Sequence, residues 1–237
     1  MTDGILMVVF GEQYDTLAAH TVAYSRQFTD IPIVILSNVA QRDVKWDSIT
    51  NVSFIDIDRP QNENRQIKTT MVDYTPFDRT LYLDCDVIIQ KQGVESLFDL
   101  ITPDHLSLKV YRRHVTADTL KVSYYRSAFK HSNIQVPITV YYGAIIGFMK
   151  CESVQSFFKI WNEQWIMNGR GREMAPLACA THLSQIDTTE FPSNSFSWAL
   201  RKSVLIQHEY GSYVRKLVGC PDFKAYKPFD KISRKGK

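Results

Sequence analysis

Four apolar runs in the first ninety residues limit what this chain can fold into. Residues 5–10, 31–36, 52–57 and 81–89 are short and rich in Val, Ile, Leu and Phe. Runs of this kind read as strands buried on both faces. The spacers have helical character. Residues 14–28 carry Leu17, Ala18, Thr21, Val22, Tyr24 and Ser25 at helical spacing. A helix over 65–74 stops before Pro76, because the residue before proline leaves the helical region. Strand, helix, strand in repetition predicts an α/β fold with a mostly parallel central sheet flanked by helices. At 237 residues the chain is most simply one domain. Sheets of this type bind ligands beyond the carboxyl ends of their strands. The loop after Phe10 and the stretch around Asp84 both lie at such ends.

That second stretch carries charge in an apolar setting. Leu81-Tyr82-Leu83-Asp84-Cys85-Asp86-Val87-Ile88-Ile89 holds two carboxylates in its middle. An unpaired buried ion is strongly disfavoured. In an extended chain, residues two apart face the same way, roughly 6.7 Å apart. Asp84 and Asp86 therefore share one face if the strand runs through them, or straddle its end if it stops there. Two carboxylates about 5 Å apart repel by roughly 3 kcal/mol at an effective dielectric of about 20. A divalent cation between them reverses that sign, and oxygen ligands suit Mg2+ or Mn2+. A strand-end turn with two solvated acids fits a bare Asp-x-Asp equally well.

The second half is less regular. Residues 105–111 alternate like a strand, and 112–133 are polar and aromatic with a helix around 120–129. Residues 138–149 are apolar with Gly143 and Gly147 inside; a strand glycine marks a bulge or a close approach. Residues 151–167 form an amphipathic helix whose stripe of Val154, Phe157, Phe158, Trp161 and Trp165 reads as core. Residues 172–183 look helical, and 203–208 form a last strand ending at His208.

Several function classes are excluded. A net charge of +3 is too small to point to nucleic acid. Cys85, Cys151, Cys179 and Cys220 are widely spaced without a CxxC, which reads as reduced thiols in a cytoplasmic protein. The N-terminal apolar run is too short for a signal peptide, and no run approaches the length of a membrane span.

Further marks follow one another in order. A strand leads into a loop and helix at Gly11 to Tyr14. Lys68 lies sixteen residues before Asp84-Cys85-Asp86. Tyr141-Tyr142-Gly143-Ala144 opens an apolar strand, Glu173-Met174-Ala175-Pro176-Leu177 begins a helix, and His208-Glu209-Tyr210-Gly211 follows the last strand. With these pieces the chain resembles the GT-A glycosyltransferases, most nearly the family 8 group of glycogenin and galactosyltransferase-like enzymes, over residues 4–217. The resemblance implies a GT-A domain over 1–223, with a nucleotide-binding half at 1–90 and an acceptor and sugar half at 91–223.

It also implies a metal-dependent transfer of a hexose from a nucleotide sugar, UDP-glucose or UDP-galactose, with retention of configuration. Asp84, Asp86 and His208 would hold the metal. The imidazole favours Mn2+, with Mg2+ the alternative. Lys68 would meet a phosphate or the sugar, and Arg215 or Lys216 would close over the diphosphate. The backbone of Val9 and Phe10 beside Gly11 and a Tyr14 ring would hold uracil. Cys85, Tyr141, Gly143 and Gly211 complete the nucleotide-sugar contacts, and Glu173 would touch the donor sugar or the acceptor hydroxyl. The chain departs from the family pattern at Tyr141, where asparagine is usual, at Glu173, where aspartate is usual, and at Val214, where a lysine is usual. The acceptor, whether carbohydrate, lipid-linked or protein, is not legible, although 111–131 is its expected surface.

Other readings remain open. A haloacid-dehalogenase-type phosphatase has a similar acidic motif, but after its first strand. A sugar nucleotidyltransferase shares the sheet but needs a basic glycine-rich loop where Gly11-Glu12-Gln13-Tyr14 stands. A non-catalytic module would keep the nucleotide pocket without turnover. The tail, 224–237, has six basic residues interleaved with Tyr226, Pro228 and Phe229, which fits either solvation or peripheral contact with an anionic membrane.

Overall fold

The computed structural model describes residues 1–119, 123–197, 204–208 and 218–219. The chain forms β1 (Asp3–Val9), α1 (Glu12–Ser25), β2 (Ile33–Ser37), β3 (Val52–Asp56), α2 (Asn64–Thr69), β4 (Arg79–Leu83) and β5 (Val87–Ile89). It continues with β6 (His105–Val115), α3 (Ser123–His131), β7 (Ile138–Met149), α4 (Glu152–Met167), α5 (Met174–Ser184), β8 (Asp187–Glu190), β9 (Phe196–Ser197) and β10 (Ile206–His208). The expected tail and the residues Gly211, Val214, Arg215 and Lys216 lie outside the described residues.

Seven strands make the central sheet in the order β3-β2-β1-β4-β7-β6-β8. The first four are mutually parallel, β7 runs against both β4 and β6, and β8 is parallel to β6. Only β7 is therefore reversed, and the sheet is mostly parallel as expected. Alternation along β1 shows why its apolar run is continuous. Ile5, Met7 and Val9 enter one core with Ala18 and Val22 of α1. Leu6 and Val8 enter the other with Phe157, Phe158 and Trp161 of α4. Both faces of the strand are covered, so neither tolerates a polar side chain. The aromatic stripe of α4 is core.

Residues 81–89 are not one strand. β4 ends at Leu83, the Val87 N–H donates to the Asp84 carbonyl at 3.0 Å, and β5 leaves the main sheet. The two acids straddle the end of β4, the second of the geometries the sequence allowed. β5 instead joins a second sheet of three strands, β5-β10-β9. The helix expected over 65–74 closes at Thr69 and resumes as a 3-10 turn over Met71–Asp73.

Gly147 of β7 lies opposite Leu81 and Ser107 in the sheet. A Cβ there would stand 2.8 Å from Ile101 Cγ1 and 2.9 Å from Ser107 Cβ. The close approach is to packed side chains, not to a ligand. Gly147→Ala is expected to lower stability by about 1–3 kcal/mol through overpacking, read as the urea midpoint. Cys85, Cys151 and Cys179 are free thiols. Among the described residues, no helix is long and apolar enough to cross a membrane.

Candidate active site

The end of β1 and the turn after β4 meet at one cavity of about 180 Å³. Gly11 makes the corner between β1 and α1. Its φ is +90, and an added Cβ would lie 2.4 Å from the Gln61 side-chain amide, so a side chain there is both strained and crowded. Its N–H donates to Asn38 Oδ1 at 2.8 Å, fixing the corner to the loop after β2. Val8, Phe10 and Tyr14 line the cavity from this side. Val9 does not, because alternation turns its side chain into the opposite core.

The floor is the turn Asp84-Cys85-Asp86. Two hydroxyls of α1 hold it. Thr21 Oγ1 donates to the Cys85 carbonyl at 2.9 Å, and the Ile89 N–H donates to Ser25 Oγ at 3.0 Å. Thr21 and Ser25 are buried, one helical turn apart. They are the only described hydroxyls on α1's buried face, which was the available sequence signal.

β10 brings His208 into place. It runs antiparallel to β5 with His208 opposite Val87, one residue beyond Asp86. His208 Nε2 lies 3.3 Å from Asp86 Oδ1, and the ring stacks on Phe196 at 6.0 Å between centroids. One ligand atom from each of Asp84, Asp86 and His208 falls within 4.8 Å of the others. Opposite vertices of a Mg2+ octahedron are about 4.2 Å apart, so small side-chain shifts close the set on an ion. Burial alone would lower the His208 pKa, but Asp86 outweighs it and raises it above the ordinary value.

An ion-pair network forms the wall. Lys68 Nζ lies 2.7 Å from Asp84 Oδ1 and 3.0 Å from Glu173 Oε1. Arg65 Nε approaches Glu173 Oε2 at 3.3 Å, and the Tyr82 hydroxyl donates to Asp84 Oδ1 at 2.6 Å. Two donors thus occupy Asp84 Oδ1, which leaves its second oxygen for a cation. Burial pulls the Lys68 ammonium down, but Asp84 and Glu173 outweigh it and hold it above the lysine range. Burial likewise pushes Glu173 up, but Lys68 and Arg65 outweigh it and hold the carboxyl at about 2. Three carboxylates against two cations leave the cavity one negative charge before His208 is counted.

Glu173 stands at the start of α5 without a side-chain capping bond. Its backbone is held by α4: Trp161 Nε1 donates to the Glu173 carbonyl at 3.2 Å and Trp165 Nε1 to the Gly171 carbonyl at 2.9 Å. Gly143 lies against the same pair, since a Cβ there would sit 3.5 Å from Glu173 Oε1 and 3.6 Å from Lys68 Nζ. Tyr141 is a correction. Its ring is buried in the core and its hydroxyl lies 3.3 Å from Thr188 Oγ1 of β8, so it does not line the cavity. Sequence reasoning missed Thr21, Ser25, Arg65, Tyr82 and Phe196. Arg65 had a signal, being one helical turn before Lys68 on α2.

The folded carboxyl of Glu173 titrates below its unfolded value of 4.5. Its stabilisation, about 3 kcal/mol for a shift of this size, is fully present above pH 4.5 and is lost as pH falls towards 2. The difference in urea midpoint between wild type and Glu173→Gln should therefore be large at pH 6 and vanish near pH 2. A difference constant with pH would contradict this.

A larger depression of about 500 Å³ is lined by Arg26, Thr29, Gln92 and Glu95 among others. There Arg26 donates to the Ile31 and Asn51 carbonyls, and Thr29 donates to Glu95. The smaller cavity brings together Lys68, Asp84, Asp86, Glu173 and His208.

No protein-family profile matches the chain, and no curated protein matches it. Solved structures do. Galactosyltransferase LgtC, in complex with donor and acceptor sugar analogues, is similar at 13% identity and TM-score 0.61, covering 98% of this chain and 99% of that one. Mouse xyloside xylosyltransferase 1 is similar at 12% identity and TM-score 0.58, covering 87% and 97%. The bifunctional glycosyltransferase WbbM matches at 11% and 0.58, with 46% of its own length covered. This chain, then, has the GT-A fold of those glycosyltransferases.

Proposed function

We propose that the protein is a metal-dependent glycosyltransferase that moves a hexose from a UDP-linked donor to an acceptor with retention. The observation that carries this is the meeting of Asp84, Asp86 and His208 in one cavity, beside the Lys68–Glu173 pair, at the carboxyl ends of parallel strands. The donor set of two carboxylates and one imidazole fits Mn2+, with Mg2+ the alternative. When bound, the cation supplies Lewis-acid neutralisation of the diphosphate.

The chain's own residues do the rest. The cavity is smaller than the roughly 300–1,000 Å³ of an ordinary ligand pocket, so it takes the diphosphate end of the donor. Phe10 and Tyr14, with the Val9 backbone and the Gly11 corner, face the base. The Cys85 backbone, fixed by Thr21, meets the ribose. Lys68 orients Asp84 and Glu173 and stays cationic throughout. Glu173 is ionised and clamped by two cations, which makes it a poor base near neutral pH. It instead accepts a hydrogen bond from a sugar hydroxyl, with Gly143 leaving room beside it. In the transfer, the anomeric C–O bond to the diphosphate breaks, the acceptor oxygen replaces it on the same face, and the acceptor proton leaves with UDP. Gly211 and Arg215 are assigned from the motif to the sugar and diphosphate.

A thermal-shift series of nucleoside diphosphates with and without Mn2+ tests the reading. Ligand at about 100 times Kd stabilises by roughly 2.7 kcal/mol. For a domain of this size that raises Tm by about 5–10 °C. UDP with Mn2+ should give this rise, and no rise with any nucleoside diphosphate would reject the reading. Release of UDP from UDP-glucose or UDP-galactose separates an enzyme from a binding module. An anomer-resolved proton NMR spectrum should show an α product, and a β product would overturn retention.

A further inference from the structure

Six lysines and arginines but a single acid, Asp118, stand between His105 and Val136, in a chain whose whole net charge is +3. The fold sets this segment beside the candidate site. β6 runs on past regular pairing, with its register to β7 shifting after Leu108, Val110 and Arg112, and Tyr111, Arg112, Arg113 and His114 are exposed. Bulges re-aim side chains and are frequent next to active sites. The Tyr111 ring packs on Tyr142 at 5.1 Å, Tyr142 on Phe196 at 5.4 Å, and Phe196 on His208. A row of aromatic rings therefore leads from the candidate metal ligand out to Tyr111.

α3 approaches from the other side. Tyr125, Ala128 and Phe129 seat it against Ala175, Ala178 and Cys179 of α5, the helix that begins beside Glu173. The Arg172 guanidinium lies 5.6 Å from the Tyr124 ring. Tyr111 lies within electrostatic reach of Tyr125, and Glu173 within reach of both Tyr124 and Tyr125.

Among the described residues, three arginines beside the candidate site are not neutralised by a carboxylate. Arg42, Arg59, Arg65, Arg79 and Arg113 each pair with a carboxylate. Arg112 stacks on Tyr111, Arg126 donates to the Ala117 carbonyl and Arg172 covers Tyr124. Among the described residues, none of these three has a carboxylate in ion-pair reach. All three are exposed. Exposed cations without counter-charges raise the local potential and favour an anion. The guanidinium fork matches phosphate and carboxylate.

We propose that the acceptor is an anionic saccharide whose phosphate or carboxylate is held by Arg112 and Arg172. This rests on the glycosyltransferase reading above. Titration calorimetry at low salt tests it with glucose 6-phosphate, glucuronate and glucose. Saturating Mn2+ and UDP are present, so that the diphosphate subsite is filled. Either charged sugar, or both, should bind at least about 10-fold more tightly than glucose, and the advantage should shrink as salt screens it. It should disappear in the R112Q/R172Q variant. These are surface changes, so a Tm within about 2 °C of wild type confirms folding. Equal binding of charged and neutral sugars, or an advantage that survives the double variant, overturns the proposal. If Mn2+ and UDP do not bind the wild type, the glycosyltransferase reading itself has failed. If they bind and charge confers nothing, only the acceptor inference has.

Discussion

Asp86→Ala is expected to reduce Mn2+-dependent UDP release at least about 100-fold while leaving the fold intact. Two of the three candidate ligand groups remain, but Asp84 already gives Oδ1 to Lys68 and Tyr82. Among the described residues Asp86 meets no such lysine or tyrosine donor, and its partner is His208. Loss of groups that merely orient ligands costs about 10–100-fold in metal affinity, and loss of a ligand costs more. The stability effect runs the other way in size. Asp86 is 29% exposed and its ion pair is with a titratable imidazole, so about 1 kcal/mol or less is expected. Turnover measured against Mn2+ concentration, beside a urea melt, separates the two effects. Near-normal release with unchanged metal dependence would contradict the assignment.

Lys68→Met is expected to destabilise the protein by about 3–5 kcal/mol and to abolish turnover. The ammonium is 5% exposed, between Asp84 at 26% and Glu173 at 14%. Removing one partner of a buried ion pair leaves the other charge uncompensated. Here two carboxylates are left, with Arg65 still on Glu173 and Tyr82 still on Asp84. Asp84 therefore bears most of the loss, and Mn2+ should restore part of the stability of Lys68→Met. Combining it with Glu173→Gln should cost less than the sum of the single changes, because the two sites share one network. Urea midpoints with and without Mn2+ measure this, and a loss below about 1 kcal/mol would show that the network is not buried in solution.

β1, β2 and β4 were legible because each is buried on both faces and leaves an unbroken apolar run, whereas β3, at the sheet edge, is only half-buried and showed through Val52, Phe54 and Ile55 alone. The break at Asp84 was legible only as an alternative, since the same residues fit a continuing strand. β8 left no sign: Asp187-Thr188-Thr189-Glu190 is a polar edge strand without the apolar alternation that marks a strand. The pairing of β5 with β10, which sets His208 beside Asp86, joins positions far apart in the chain, and no local pattern encodes it. The Lys68–Glu173 contact has the same character, spanning 105 residues. Tyr141 was misplaced because a motif position fixes a strand but not where its side chain ends. In this chain the ring reaches Thr188 of β8, a strand the sequence did not reveal.

The most direct test is pulsed electron paramagnetic resonance of Mn2+ bound to the wild type with UDP. Two couplings in one sample are predicted: 14N from the His208 imidazole, lost in His208→Gln, and 31P from the diphosphate. Bound Mn2+ that shows neither coupling, or no bound Mn2+ at all, would contradict the claim that Asp84, Asp86 and His208 hold the ion against a nucleoside diphosphate.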